Sequence, residues 1–250
     1  MQIFNKPILV VGDGCCDFWV YCQCTRLCPE SPVPVLDVKY VRQNFGMAGN
    51  VYRNIIDLEK ECFLICNKNF QEISKTRYVE LKTNHMFIRI DSSGEYHRIQ
   101  ELNNINFSQF GAVVISDYNK GFLCEEDIQY ISNNHSLTFL DTKKVIDSWA
   151  QNVTFIKLNR TEYNQSKKFL TPVLESKIIE TLGEEGCRYR EKIFPVKKVE
   201  IKNLSGAGDS FLAGLVVKFV DTNNIEESIK FANEVATIVV QKTGVSTIKD

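Results

Sequence analysis

A chain of 250 residues, 44% hydrophobic and 24% charged, is long enough to bury one large core and has the composition of a globular protein. Its formal net charge of −1 argues against the broad basic surface that nucleic acid attracts. No apolar run reaches the roughly 20 residues that span a bilayer. The polar stretch 1–6 leads straight into an apolar run, leaving no room for a signal peptide, so the expected location is the cytoplasm.

Residues 8–13 read as a buried strand ending in a turn at Gly12-Asp13. Five of the nine cysteines follow closely, at Cys15, Cys16, Cys22, Cys24 and Cys28. An odd count, no C-x₂-C pairing and no nearby His speak against a zinc site or a disulfide framework. Reduced thiols packing as small hydrophobes are expected instead. Residues 29–41 are punctuated by prolines and then alternate, as an edge strand or lid does. Residues 46–58 read as a glycine-started helix and 62–66 as a short strand. Segments 77–81 and 86–90 suit a hairpin around Thr83-Asn84.

Further strands are expected at 112–117, 137–141, 154–158 and 177–182, with helices at 125–133 and 226–240. Continuous apolar strands alternating with helices predict an α/β fold with a mostly parallel sheet. No repeat, low-complexity tract or linker divides the chain, so 1–250 is read as a single domain. Asp13, Asp117, Asp141 and Asn159 recur at or just past the carboxyl ends of strands. Ligands bind at that edge of open α/β sheets.

The densest signal is Ser205-Gly206-Ala207-Gly208-Asp209. It lies between a strand-like run at 199–201 and a helix at 210–220, where Phe211, Leu212, Leu215, Val216 and Phe219 keep helical spacing. Two glycines let the backbone turn tightly and approach a ligand. The first N–H groups of a helix favour an anion. A carboxylate beside such a site suits a base that takes a proton from a hydroxyl attacking a phosphoryl group. Asp at a helix start is also ordinary capping chemistry.

Several segments together carry a family resemblance. Gly12-Asp13 with Asp17, Arg26 and the run 29–35 resemble the N-terminal stretch of D-glycero-β-D-manno-heptose 7-phosphate kinases, which are ribokinase-like (phosphofructokinase B) sugar kinases. Residues 46–54 look like their glycine-rich sugar-binding helix start, and Ser116-Asp117-Tyr118-Asn119-Lys120-Gly121 like their mid-chain motif. Asn159-Arg160-Thr161-Glu162 fits the N-x-x-E motif, 205–209 the GAGD signature, and Phe231-Ala232-Asn233 with 244–247 the C-terminal pattern.

The resemblance implies a three-layer ribokinase-like fold with a small β lid from 33–41 and 77–90, and a homodimer, since relatives pair through such lids. It implies an ATP-dependent kinase phosphorylating the anomeric hydroxyl of the heptose 7-phosphate. Asp209 would be the base, and the amides of Gly206, Ala207 and Gly208 would hold charge on the transferred group. Asp13, Asp17, Gly46 and Asn50 would meet the sugar, and Lys75, Arg77 and Lys143 its phosphate. Asn159 and Glu162 would organise Mg²⁺, largely through water. As residues alone they equally make a capping box. Gly183, Gly186 and Asn233 would border the nucleotide, and a monovalent cation would sit near 243–247. A kinase for another sugar or nucleoside, or a non-catalytic binding relative, remains open.

The chain departs from the family at Phe45, where a first glycine is usual. A narrowed sugar pocket is expected there. Segments 66–75 and 163–177 are shorter than in the family. The resemblance covers the kinase half of those members that also carry a nucleotidyltransferase domain.

Overall fold

The computed structural model describes residues 6–92, 94–242, 244 and 246–249. Its strands are β1 (Ile8–Gly12), β2 (Gly14–Leu27), β3 (Pro34–Met47), β4 (Cys62–Ile65), β5 (Ser74–Glu80) and β6 (Met86–Asp91), then β7 (Ala112–Asp117), β8 (Thr138–Thr142), β9 (Phe155–Asn159), β10 (Ile178–Thr181), β11 (Cys187–Tyr189) and β12 (Lys192–Phe194). The helices are α1 (Ala48–Asp57), α2 (Glu125–Asn134), α3 (Arg160–Ser166), α4 (Pro172–Glu175), α5 (Ala207–Thr222) and α6 (Ile225–Val240).

Eight strands form one sheet in the order β12-β11-β10-β9-β8-β7-β1-β4. The six strands from β4 to β10 in that order run parallel, and β11 and β12 are antiparallel additions at one edge. Alternation along β1 explains the layers. Ile8 and Val10 join a core with α1, α5 and α6, while Leu9 and Val11 join a second core with α2, α3 and α4. A sheet covered on both faces must be apolar throughout, which is why these strands read as continuous hydrophobic runs.

A second sheet, β3-β2-β5-β6, forms the lid. The β5–β6 pair is the expected hairpin, lengthened at its outer ends. Strand β2 was not legible in the sequence. Its first half is buried, with Cys15, Cys16 and Cys22 packed as small hydrophobes, so it shows no alternation of apolar and polar residues. All nine cysteines are free thiols.

The expected helix at 46–58 begins instead at Ala48, because Gly46 and Met47 complete β3. The strand-like run at 199–201 takes up no regular structure. Among the described residues, no helix is long and apolar enough to cross a membrane.

Candidate active site

The two sheets meet the start of α5 at the carboxyl edge of the parallel strands. Gly206 caps that helix in the left-handed region, with φ 85°, a conformation that favours glycine. Asp209, in the first turn, is only 6% exposed. Its Oδ2 accepts from Asn50 Nδ2 at 2.8 Å and its Oδ1 from the Tyr118 hydroxyl at 2.7 Å. Burial raises its proton affinity above that of an ordinary aspartate, and these two hydrogen bonds work against the rise.

Among the described residues, no backbone carbonyl accepts from the amides of Gly206, Gly208 or Asp209. The Ala207 amide differs from expectation: it folds back onto the Leu204 carbonyl at 3.3 Å, closing the tight turn. Behind the turn lies Lys157, whose Nζ is 3.0 Å from where a side chain on Gly208 would begin. Lys157 is buried in β9 and donates to Asp141 Oδ2 at 2.7 Å. Burial opposes its charge, but the carboxylates of Asp141 and, beyond it, Glu162 and Asp209 together more than offset burial and raise its pKa. A cation beside a helix N-terminus places positive charge next to positive dipole, an arrangement suited to an anion.

On one side of Asp209 opens a cavity of about 380 Å³. Strand register builds its lid wall. Asn44, Asp17, Lys75 and Asp91 stand opposite one another across β3, β2, β5 and β6, and Arg42, Trp19, Arg77 and Arg89 form the next row. Five cations, Lys75, Arg77, Arg89, Lys120 and Lys143, line this cavity against three carboxylates, Asp17, Asp91 and Asp209. Arg77 is committed to Asp17 at 2.8 Å, Arg89 to Asp91 at 2.6 Å, and Lys143 to Glu162. No carboxylate within ion-pair distance of Lys75 or Lys120 is found among the described residues. Lys75 lies 5.1 Å from the Tyr118 ring centroid, and burial lowers its pKa.

The structure redistributes the residues expected to touch a sugar. Asp17 lines the cavity. Gly46 shapes it by omission, since a Cβ there would come within 2.7 Å of Asp17 Oδ2. Asp13 stands behind the wall with 0% exposure, and its carboxylate takes the amides of Tyr118, Lys120 and Phe122. Burial raises its pKa, with Asp117 adding to the rise and the three amides opposing it. Asn50 is also buried behind the site, gripping Asp209. Phe45 does not narrow the cavity. It packs on Phe70, with centroids 5.3 Å apart, and its Cβ crowds the position a Cβ on Gly49 would take.

On the other side of the turn lies a cavity of about 200 Å³, bordered by Gly183, Gly186, Ala207, Gly208, Phe211 and Asn233 among others. Gly183 and Gly186 both hold left-handed backbone, at φ 63° and 93°. A Cβ on Gly186 would sit 2.1 Å from the Phe194 carbonyl oxygen. Asn233 lines this cavity but donates its amide to that same carbonyl at 2.9 Å.

Asn159 and Glu162 form a reciprocal capping box at the start of α3. Asn159 accepts from the Glu162 amide at 2.9 Å, and Glu162 Oε2 takes the Asn159 amide at 2.7 Å. Glu162 Oε1 takes Asn159 Nδ2 and the Lys143 ammonium. With both oxygens engaged, this pair fits Mg²⁺ reached through water better than a direct carboxylate ligand. Of the expected cation loop at 243–247, Thr243 and Val245 lie outside the described residues.

Sequence reasoning passed over Tyr118, Lys157, Arg89 and Lys120. A lysine inside a run as apolar as Phe155-Ile156-Lys157-Leu158 was a usable signal, because a buried lysine needs a partner. Tyr118 and Lys120 lay inside the mid-chain motif without an assigned role. Arg89 gave no signal, since only strand register brings it to the cavity.

A family model described as pfkB family carbohydrate kinase matches residues 75–250. The chain is similar to the bifunctional protein HldE of Helicobacter pylori strain J99, with 31% identity over 96% of this chain. It spans 64% of that relative's length. Among solved structures it is similar to ribokinase from Thermotoga maritima, with a TM-score of 0.73 and 17% identity, over 98% of this chain and 97% of that one. It is similar also to Arabidopsis thaliana ribokinase complexed with ribose and ATP, with a TM-score of 0.70 and 13% identity, over 100% and 95%. These two likenesses concern the fold.

Proposed function

Because the chain belongs to the pfkB family of carbohydrate kinases, we propose that it transfers the γ-phosphoryl group of ATP to the anomeric hydroxyl of D-glycero-D-manno-heptose 7-phosphate, giving the 1,7-bisphosphate. The observation that carries this reading is the cationic acceptor cavity, where Lys75 and Lys120 lie outside the lining ion pairs with only the Asp209 carboxylate to set against them, a surplus of one positive charge. A neutral sugar has no use for that surplus, whereas a phosphate ester supplies the missing charge. The HldE name of the curated relatives supports a heptose as the carrier.

In this mechanism the acceptor lies under the lid, its hydroxyl against Asp209 and its phosphate toward Lys75 and Lys120. Asp17 and the polar lid rows orient the sugar. ATP lies across the turn, its base by Gly183, Gly186 and Asn233. Asp209 takes the hydroxyl proton as the oxygen attacks phosphorus in line, and ADP departs. The amides of Gly206 and Gly208 and the Lys157 ammonium hold charge on the transferred group, worth ~2.7–4 kcal/mol per well-aimed donor. Mg²⁺ on the nucleotide phosphates, reached by Asn159 and Glu162 through water, would draw off further charge.

Val38, Val41, Ile88 and Ile90 stand exposed on the lid and support pairing of two chains there. Sedimentation as a monomer at micromolar concentration would refute that pairing. Nine free thiols support a reducing, cytoplasmic setting.

The test of function is ADP release across a panel of heptose, hexose and pentose phosphates, each beside its unphosphorylated parent. Turnover should favour the heptose 7-phosphate. Turnover only with neutral sugars or nucleosides would overturn the acceptor assignment. Ligand binding without ADP production from any of them would overturn catalysis itself.

A further inference from the structure

The reading of Asp209 as the base leaves unexplained why both of its oxygens accept from protein side chains. We propose that Tyr118 is a positioning residue that orients the Asp209 carboxylate and, by donating to it, favours its charged form, at the end of a chain of hydrogen bonds beginning at Asp13. This rests on the proposed role of Asp209 and adds a residue to it.

The chain runs through one loop. Asp13, at the end of β1, accepts the Tyr118 amide on Oδ2 at 2.6 Å and those of Lys120 and Phe122 at 3.4 and 3.3 Å. Asp117 Oδ1 accepts the Asn119 amide at 3.1 Å and is itself tied to Lys144. A loop gripped this way presents its side chain at a fixed place. From it the Tyr118 hydroxyl reaches Asp209 Oδ1 at 2.7 Å, while Asn50 holds Oδ2 from α1 on the other side. Two donors on two oxygens fix the plane of the carboxylate and leave each oxygen a further lone pair for an incoming hydroxyl.

The ring adds an electrostatic element. Lys75 and Lys143 place their ammonium groups 5.1 and 5.7 Å from its centroid. Positive charge near a phenol strengthens its hydroxyl as a donor. Burial and the neighbouring Asp209 keep Tyr118 protonated far above neutral pH, so it donates throughout the working range. The other charged groups around Asp209 are Lys157 from β9, Asp141 from β8, Asp17 from β2, Lys75 and Arg77 from β5, Arg89 and Asp91 from β6, and Lys120 and Lys143 from the flanking loops. Among the described residues, the side-chain hydrogen bonds to Asp209 come from two uncharged donors, Asn50 and Tyr118, and not from these charged groups.

The sign of the effect follows. Donation to the carboxylate favours its charged form. Tyr118→Phe removes the donor and keeps the ring, so Asp209 should hold its proton more tightly. The acid limb of kcat/KM should move up by about one pH unit, and the plateau should fall about tenfold. Site-specific 3-fluorotyrosine at 118 is a stronger donor of the same shape and should move the limb the other way. Carbon-13 NMR of labelled aspartate carboxyls, with Asp209 assigned by its loss in Asp209→Asn, reads the same shift without any substrate. A uniform loss of rate with an unmoved limb, or an Asp209 carboxyl that titrates alike in all three proteins, overturns the proposal. Failure to phosphorylate any sugar would overturn the function and leave the NMR titration to decide this point.

Discussion

The two cavities that flank the Gly206–Asp209 turn are built on different principles. The cavity proposed for the acceptor is walled by long charged side chains from the lid, placed by strand register across β3, β2, β5 and β6. The cavity proposed for the nucleotide is walled mainly by glycines and short or apolar side chains, with Glu184, Lys197 and Lys198 as its charged members, and left-handed backbone at Gly183 and Gly186 helps to shape it. On the proposed reading, the first site would recognise its ligand chiefly by side-chain charge and the second chiefly by apolar lining and backbone shape. Acceptor preference should therefore respond to single side-chain changes that leave nucleotide binding alone, and the converse should hold across the turn.

The largest effect is expected where the cavities meet. Asp209→Asn should lower turnover at least a thousandfold, within the range a positioned base supplies. Its stability should not fall. Burial raises the folded pKa of Asp209, so this group's contribution to stability is complete below the unfolded carboxylate pKa and is lost as pH rises through the folded one. The neutral amide escapes that loss, and the melting temperature at pH 7 should hold or rise. Turnover near wild type would remove Asp209 from the mechanism.

Next comes the cation behind the turn. Lys157→Met should slow phosphoryl transfer roughly 10²- to 10³-fold. It strands Asp141 without its partner, at a cost of about 3–5 kcal/mol. Adding Asp141→Leu removes the stranded charge and should restore stability without restoring rate. A double variant that recovers turnover would make the pair structural only.

The nucleotide side alone is probed by Gly186→Ala. The new methyl would meet the Phe194 carbonyl at 2.1 Å and force a residue with Cβ into φ 93°, a strain on the order of 1–3 kcal/mol. The KM for ATP should rise well above tenfold while the acceptor KM is unchanged. The acceptor side is probed by Lys75→Met, which should raise the KM for a phosphorylated acceptor about 10- to 100-fold and leave that for ATP alone. Equal changes in both constants for either variant would break the separation between the cavities.

The same contrast explains what the sequence revealed. Glycines that shape the nucleotide cavity, and the turn at 206–209, are local features, since a special backbone needs a special residue at that position. The parallel strands were legible for a similar reason, because burial on both faces writes itself as an unbroken apolar run. The acceptor side depends on distance along the chain. Asn50 holds Asp209 across 159 positions, and Asp13 holds the Tyr118 amide across 105. Both residues were expected to touch sugar because the family resemblance implies it. Nothing local shows that their hydrogen-bonding capacity is spent on protein. Strand β2 was missed because cysteines took the apolar positions of its buried half.

The smallest expected effect tests the sharpest of these misreadings. Phe45 stands where a glycine is usual in the family the sequence resembles, and that departure points to a tighter sugar pocket. Strand alternation decides otherwise. Gly46 faces Asp17 and the cavity, so its neighbour Phe45 must face away, and it does, packing on Phe70 and over Gly49. Phe45→Ala should therefore lose the ring contact, about 0.5–1.5 kcal/mol beyond the loss of buried area, and lower the melting temperature by a few degrees. Its KM values for acceptor and ATP should match wild type. A gain of turnover on bulkier sugars would mean that the ring limits the acceptor after all, and that charge is only part of what the lid reads.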